Sequence, residues 1–181
     1  MHKVDDMPSL NTFAKLTALA WLSMIGFDCF LHAGLLARLY LEPSPFLLPP
    51  ERAFVLIPVG YLSLLVLAIL LIWLMAKLGI QGWRQGGLFG LQLGALSWGA
   101  FILGLLTIST APFGLMAGWF LGQTVELGIG GAVAGSGFII RRHRRLLARV
   151  TIFVISALVV TVVLQSLGLA PAIRLSTANG G

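Results

Sequence analysis

The sequence predicts an all-α integral membrane protein: a bundle of five transmembrane helices with the N-terminus in the cytoplasm and the C-terminus outside. Three observations predict it. Of 181 residues, 58% are hydrophobic and only 10% charged, with a mean hydropathy of +0.98, whereas soluble domains carry about 25% charged residues. Five apolar stretches are each long enough to cross a hydrocarbon core about 30 Å thick, which takes about 20 helical residues. The basic residues are also divided unequally between the two sides of those stretches. With the N-terminus inside, the inner segments hold Lys3, Lys15, Lys77, Arg84, Arg141, Arg142, Arg144, Arg145 and Arg149, against Arg38, Arg52 and Arg174 outside, the bias that orients membrane proteins. In a bacterium this reading points to the inner membrane.

A cytoplasmic tail, 1–12, leads into the first span, 13–40. Its Ala18–Ala20 motif comes before any complete apolar core, so the run reads as a retained helix and not a cleaved signal. Pro43, Pro45, Pro49 and Pro50 then break the chain, and the second span follows at 55–78. Gly79 and Gly82 weaken the helix before the third span, 87–110. Ser109, Thr110 and Pro112 separate that span from the fourth, 113–140, so tightly that the two form an antiparallel hairpin. The fifth span, 146–167, ends at Gly168 and Pro171, and an outer tail occupies 169–181. Residues 13–168 make one membrane domain. The lone Cys29 allows no internal disulfide.

Ionisable groups inside the spans are few. Asp28 and His32 fall near the middle of the first span, four residues apart and so on one face. Glu126 falls near the middle of the fourth. Burying such groups is costly, so they face protein or water and mark functional positions. Glu126 also interrupts a row of small residues, Gly114, Gly118, Gly122 and Gly130, a spacing that lets helices approach closely. The third span carries a similar row, Gly86, Gly90 and Gly94, which makes that span or a second copy of the protein the expected partner. Gln92 and Gln123 add neutral hydrogen-bonding groups near these faces.

Three readings of this set stand side by side. In one, Asp28 bonds to His32, Glu126 bonds to Gln92, Gln123 or a serine, and the cluster only specifies helix pairing. In the second, Asp28, His32 and Glu126 form a protonatable or cation-binding centre of a transporter or channel-like protein. In the third, the same three residues ligate a divalent metal of a membrane enzyme. A non-catalytic accessory subunit of a larger membrane complex, or a homodimer, would use the glycine rows as docking faces. Enzymatic alternatives lack parts: there is no His-Glu-x-x-His string, no second intramembrane histidine for a bis-histidine haem and no mid-span lysine for a retinal Schiff base.

Arg141, Arg142, Arg144, Arg145 and Arg149 anchor the fourth and fifth spans and face anionic lipid headgroups. With no interleaved aromatics and no surrounding domain, this run is not a nucleic-acid site. The proline-rich loop 41–52 is a stiff connector with Phe46, Leu47 and Leu48 turned toward lipid. Arg38 and Glu42, one turn apart, are placed to pair. The fifth span has no ionisable group at depth and is expected on the outside of the bundle.

Overall fold

The computed structural model describes residues 8–41, 45–140 and 143–171. Glu42, Arg141 and Arg142 lie outside the described residues, as do the first seven residues and those beyond Pro171. The expected Arg38–Glu42 pair and part of the basic run therefore fall outside them too.

Five α-helices follow one another among the described residues. The first, α1 (Leu10–Phe30), is capped by Ser9, whose hydroxyl accepts the Thr12 amide at 3.3 Å, satisfying a donor that the helix start leaves unpaired. The chain continues as a wide π-helical turn, Leu31–Leu35, and a tight 3-10 turn, Ala37–Tyr40. Next comes α2 (Pro50–Leu78), with Pro49 at its cap. It stops at Gly79, whose φ of 67° only glycine adopts without strain. The Ile80 amide returns to the Met75 carbonyl at 2.9 Å to close the C-terminal motif. The remaining helices are α3 (Trp83–Ile108), α4 (Phe113–Ile139) and α5 (His143–Ser166). Helices 2, 3 and 5 begin three to five residues earlier than the apolar runs suggest. Their first turns are made by interfacial residues such as Trp83, Arg84, His143 and Arg144, which hydropathy does not score as spanning.

Four helical stretches are long and apolar enough to cross a membrane: Leu10–Leu35, Arg52–Leu78, Trp83–Ile108 and His143–Ser166. This is a helical, membrane-embedded protein. At 27 residues α4 has the length, but it is not among the four. Its glycines, Gln123 and Glu126 dilute its hydropathy. It is instead the most enclosed helix, touching each of the other four and holding twelve buried residues. Leu16, Met24, Leu71, Ile72, Met75 and Leu127 form the sealed centre of the bundle. Large apolar side chains such as Leu62, Val66, Leu96, Leu103, Val159 and Val162 stand exposed on the outer faces of α2, α3 and α5, as lipid-facing surfaces do.

The glycine rows pair differently from the expectation. Gly86, Gly90 and Gly94 of α3 do meet α4, but on a face the sequence reading passed over. A Cβ on Gly86 would overlap the Gly131 carbonyl, one on Gly90 the Leu127 carbonyl, and one on Gly94 would stand 2.8 Å from the Thr124 Cα. Gly82 donates its amide to the Gly135 carbonyl at 2.8 Å. The pairing numbers run in opposite directions, so the hairpin is antiparallel. Gly118, Gly122 and Gly130 turn instead to α1 and its π turn, against Leu36, Leu31 and Met24, while Gly114 has nothing within 4 Å. The row around Glu126 thus faces the first helix and not the third. The cause is a second set of small residues, Gly128, Gly131 and Gly135, on an adjacent face of α4. The loop also differs: Phe46 is half-buried against Trp119, ring centroids 6.1 Å apart, and turns inward instead of toward lipid.

Gly90→Ala should lower the thermal unfolding midpoint in detergent, at a cost of about 1 to 3 kcal/mol for forcing two backbones apart. Gly114→Ala, in open space, should leave the midpoint unchanged or raise it.

Candidate functional site

Regular α-helix would carry Tyr40 about 12 Å along the axis from His32, at 1.5 Å per residue. The π turn after Phe30 and the 3-10 turn after Leu36 end that regularity. The Leu36 amide reaches back to the Leu31 carbonyl at 2.8 Å and the Leu39 amide to Leu36 at 2.9 Å. The Tyr40 hydroxyl consequently returns to His32 Nδ1. The break is held from outside by α5 and the segment after it. Gln165 Nε2 donates to the Ala33 carbonyl at 3.1 Å, and Arg38 donates to the Gly168 carbonyl at 3.1 Å. Helix 5, expected to lie outside the bundle, is largely exposed, yet it stabilises the irregular turn on which His32 sits.

A four-membered polar chain results. Trp119 Nε1 donates to the Tyr40 hydroxyl at 2.7 Å, Tyr40 meets His32 Nδ1, and His32 Nε2 meets Asp28 Oδ1 at 3.1 Å. Donor inventory gives it a direction. An indole N–H can only donate, so the Tyr40 oxygen accepts and its proton points to Nδ1. His32 is then assigned as the neutral Nε2–H form, donating to the Asp28 carboxylate. Asp28 and His32 keep side-chain exposures of 17% and 30%, so this chain reaches the molecular surface.

Glu126 does not. Its residue exposure is 0%, and neither carboxyl oxygen has a hydrogen-bond partner. Gln123, buried one turn earlier, approaches the carboxyl without reaching bonding geometry. The register of α1 against α4 sets the depth of Glu126. Gly122 faces Leu31 and Gly130 faces Met24, so Glu126, midway between those glycines, falls level with Phe27 and Asp28. Tyr61 of α2 reaches the same level of α1. The Tyr61 hydroxyl bonds Cys29 Sγ at 3.1 Å, and its carbonyl accepts from Trp21 at 2.8 Å. Three helices, α1, α2 and α4, therefore meet at this level of the bundle.

Gln92 is exposed on α3 and does not join the cluster, a correction to its expected place. A helix row read from glycines alone does not fix which face a glutamine takes. Sequence reasoning passed over Tyr40, Tyr61 and Trp119. Tyr40 and Trp119 become partners only through the π turn, which has no distinctive sequence pattern. Among the described residues no three His, Cys, Asp or Glu side chains assemble into a metal-binding group, and both ring nitrogens of His32 are already engaged. The arrangement supports proton exchange between hydrogen-bonded groups more directly than metal ligation.

Tyr40→Phe should destabilise the protein by about 1 kcal/mol, the cost of leaving partly buried polar partners unmatched. In a double-mutant cycle with Trp119→Phe, followed by thermal unfolding, the two losses should be markedly less than additive, because both remove the same bond. A scan against protein-family models and searches of curated proteins and solved structures return no match to this chain, which leaves the geometry of this cluster as the ground for function.

Proposed function

We propose that the protein is a small transporter or channel-like membrane protein in which Asp28, His32 and Glu126 form an intramembrane protonatable or cation-binding centre. The observation that carries this reading is the Glu126 carboxyl, completely enclosed and without a partner for either oxygen. A purely structural acid would be satisfied by donors, and an intramembrane acid without them is a functional position by default. Such a group is either neutralised by a proton or balanced by a cation. Asp28 and His32, level with it and open to the surface, are the entry: Asp28 takes up a proton that Glu126 then stores, while the Nε2–H of neutral His32 steadies the Asp28 carboxylate. Tyr40 and Trp119 hold the imidazole in that Nε2–H tautomer.

In this reading all five helices cross the membrane, α4 being sheltered by the other four. The N-terminus is cytoplasmic and the C-terminus outside, and in a bacterium the membrane is the inner one. The positive-inside distribution supports that orientation. Gln123 tunes the centre from the next turn of α4.

Proteoliposomes loaded with a pH-sensitive dye test the reading. Wild-type protein should collapse an imposed pH gradient or drive a cation flux that changes with pH. Glu126→Gln, which preserves shape and removes the titratable group, should abolish the flux while retaining helicity and the unfolding midpoint. Wild-type proteoliposomes that pass neither protons nor alkali cations would overturn it.

A further inference from the structure

Helix 5 leans on α1 far more than on α4, and Gly26 is the reason. A Cβ there would stand 2.8 Å from Val154 Cγ2, so the two helices close up at that point and a seam opens between α4 and α5. The seam contains a cavity of about 290 Å³, with Ser23 of α1 at its floor and Val133, Ser136, Arg149 and Phe153 along its sides. Its volume is at the small end of ligand pockets, about 300 to 1,000 Å³. The lining is mainly apolar, and Arg149 is its one charged side chain. Trp83, at the start of α3, completes one end and carries the Arg84 guanidinium 5.1 Å above its ring. An exposed tryptophan beside arginine is the signature of the level at which a bilayer meets water.

Charge decides the occupant. From Arg52 to the C-terminus the sequence contains a single acid, Glu126, which is sealed between α4 and α1 and lies about 15 Å along its helix from Ser136, at 1.5 Å per residue. The mouth of the seam therefore combines Arg149 and Arg84 with no carboxylate from α3, α4 or α5 to neutralise them. An apolar slot open to the membrane, with an arginine that no carboxylate of α3, α4 or α5 pairs with, matches a molecule with an acyl chain and a negative phosphate. We infer that the seam between α4 and α5 is a binding site for an anionic phospholipid, its chain along Val133 and Phe153 and its phosphate on Arg149. Arginine suits that contact because its planar fork bonds two phosphate oxygens at once. The site is separate from the Asp28–Glu126 cluster and does not depend on its function.

Native mass spectrometry of the detergent-purified full-length protein, titrated with phosphatidylglycerol and phosphatidylcholine of equal chain length, tests the inference. Wild type should bind the anionic lipid about fivefold more tightly, the equivalent of one basic contact at a membrane surface. Arg149→Gln should erase that preference while keeping chain affinity. Arg144→Gln removes an equal charge from an exposed position outside the cavity lining and should keep the preference. Ser136→Phe, filling the slot and leaving the charge, should weaken both lipids, with retained helicity and unfolding midpoint showing that each variant is folded. Equal binding of the two lipids by wild type, or equal loss in Arg149→Gln and Arg144→Gln, would overturn the inference.

Discussion

Where a helix presents glycine, no side chain of its own holds a neighbour away, and α4 uses this on two faces: toward α3 backbone meets backbone, and toward α1 the glycines receive the side chains of Leu36, Leu31 and Met24. One face takes α3 through Gly128, Gly131 and Gly135, and the other takes α1 through Gly118, Gly122 and Gly130. In lipid there is little hydrophobic gain from helix association, so van der Waals contact of this kind supplies much of the cohesion. The position of α4 at the middle of the bundle follows. So does the enclosure of Glu126, which lies in the row of small residues through which α1 approaches.

The polar cluster exists because α1 stops being a regular helix at the right depth. A wide turn followed by a tight one swings Tyr40 back over His32, and Tyr40 connects α1 to Trp119 of α4. Wide π-type turns are uncommon and recur at functional positions. Here the carbonyl of Ala33 in that turn is claimed by Gln165 of α5, so the irregularity is supported by a neighbour. The mid-span acids differ in kind: Asp28 belongs to a bonded chain that reaches the surface, whereas neither oxygen of Glu126 is bonded.

Much of the fold is legible in the sequence because its causes are local. Apolar length gives the helices, and prolines with Gly79 give the breaks. The shared depth of Asp28 and Glu126 follows from counting along each span, and the i, i+4 pairing of Asp28 with His32 follows from helix geometry. Other features depend on information that is not local. Gly128, Gly131 and Gly135 are as visible in the chain as Gly118 and Gly122, but which set meets which helix is decided by the packing of the whole bundle. Gln92 shares a helix with the α3 glycines and still points outward. The return of Tyr40 needs a register change that no residue type announces, and Phe46 turns inward because Trp119 offers it a ring. The central helix falls short of the continuous apolar stretch that the other four reach, and its neighbours shield the polar residues that interrupt it.

The α3–α4 contact sets a limit on how this molecule can move. At Gly82–Gly135, Gly86–Gly131, Gly90–Leu127 and Gly94–Thr124 backbone stands against backbone, so no rotamer change at those points opens a gap, and sliding would drive carbonyl oxygens into Cα atoms at successive turns. That hairpin behaves as a strut. Any rearrangement that exposes Glu126 to one side or the other must be carried by α1, α2 and α5 shifting around it, with the strut as the stationary frame.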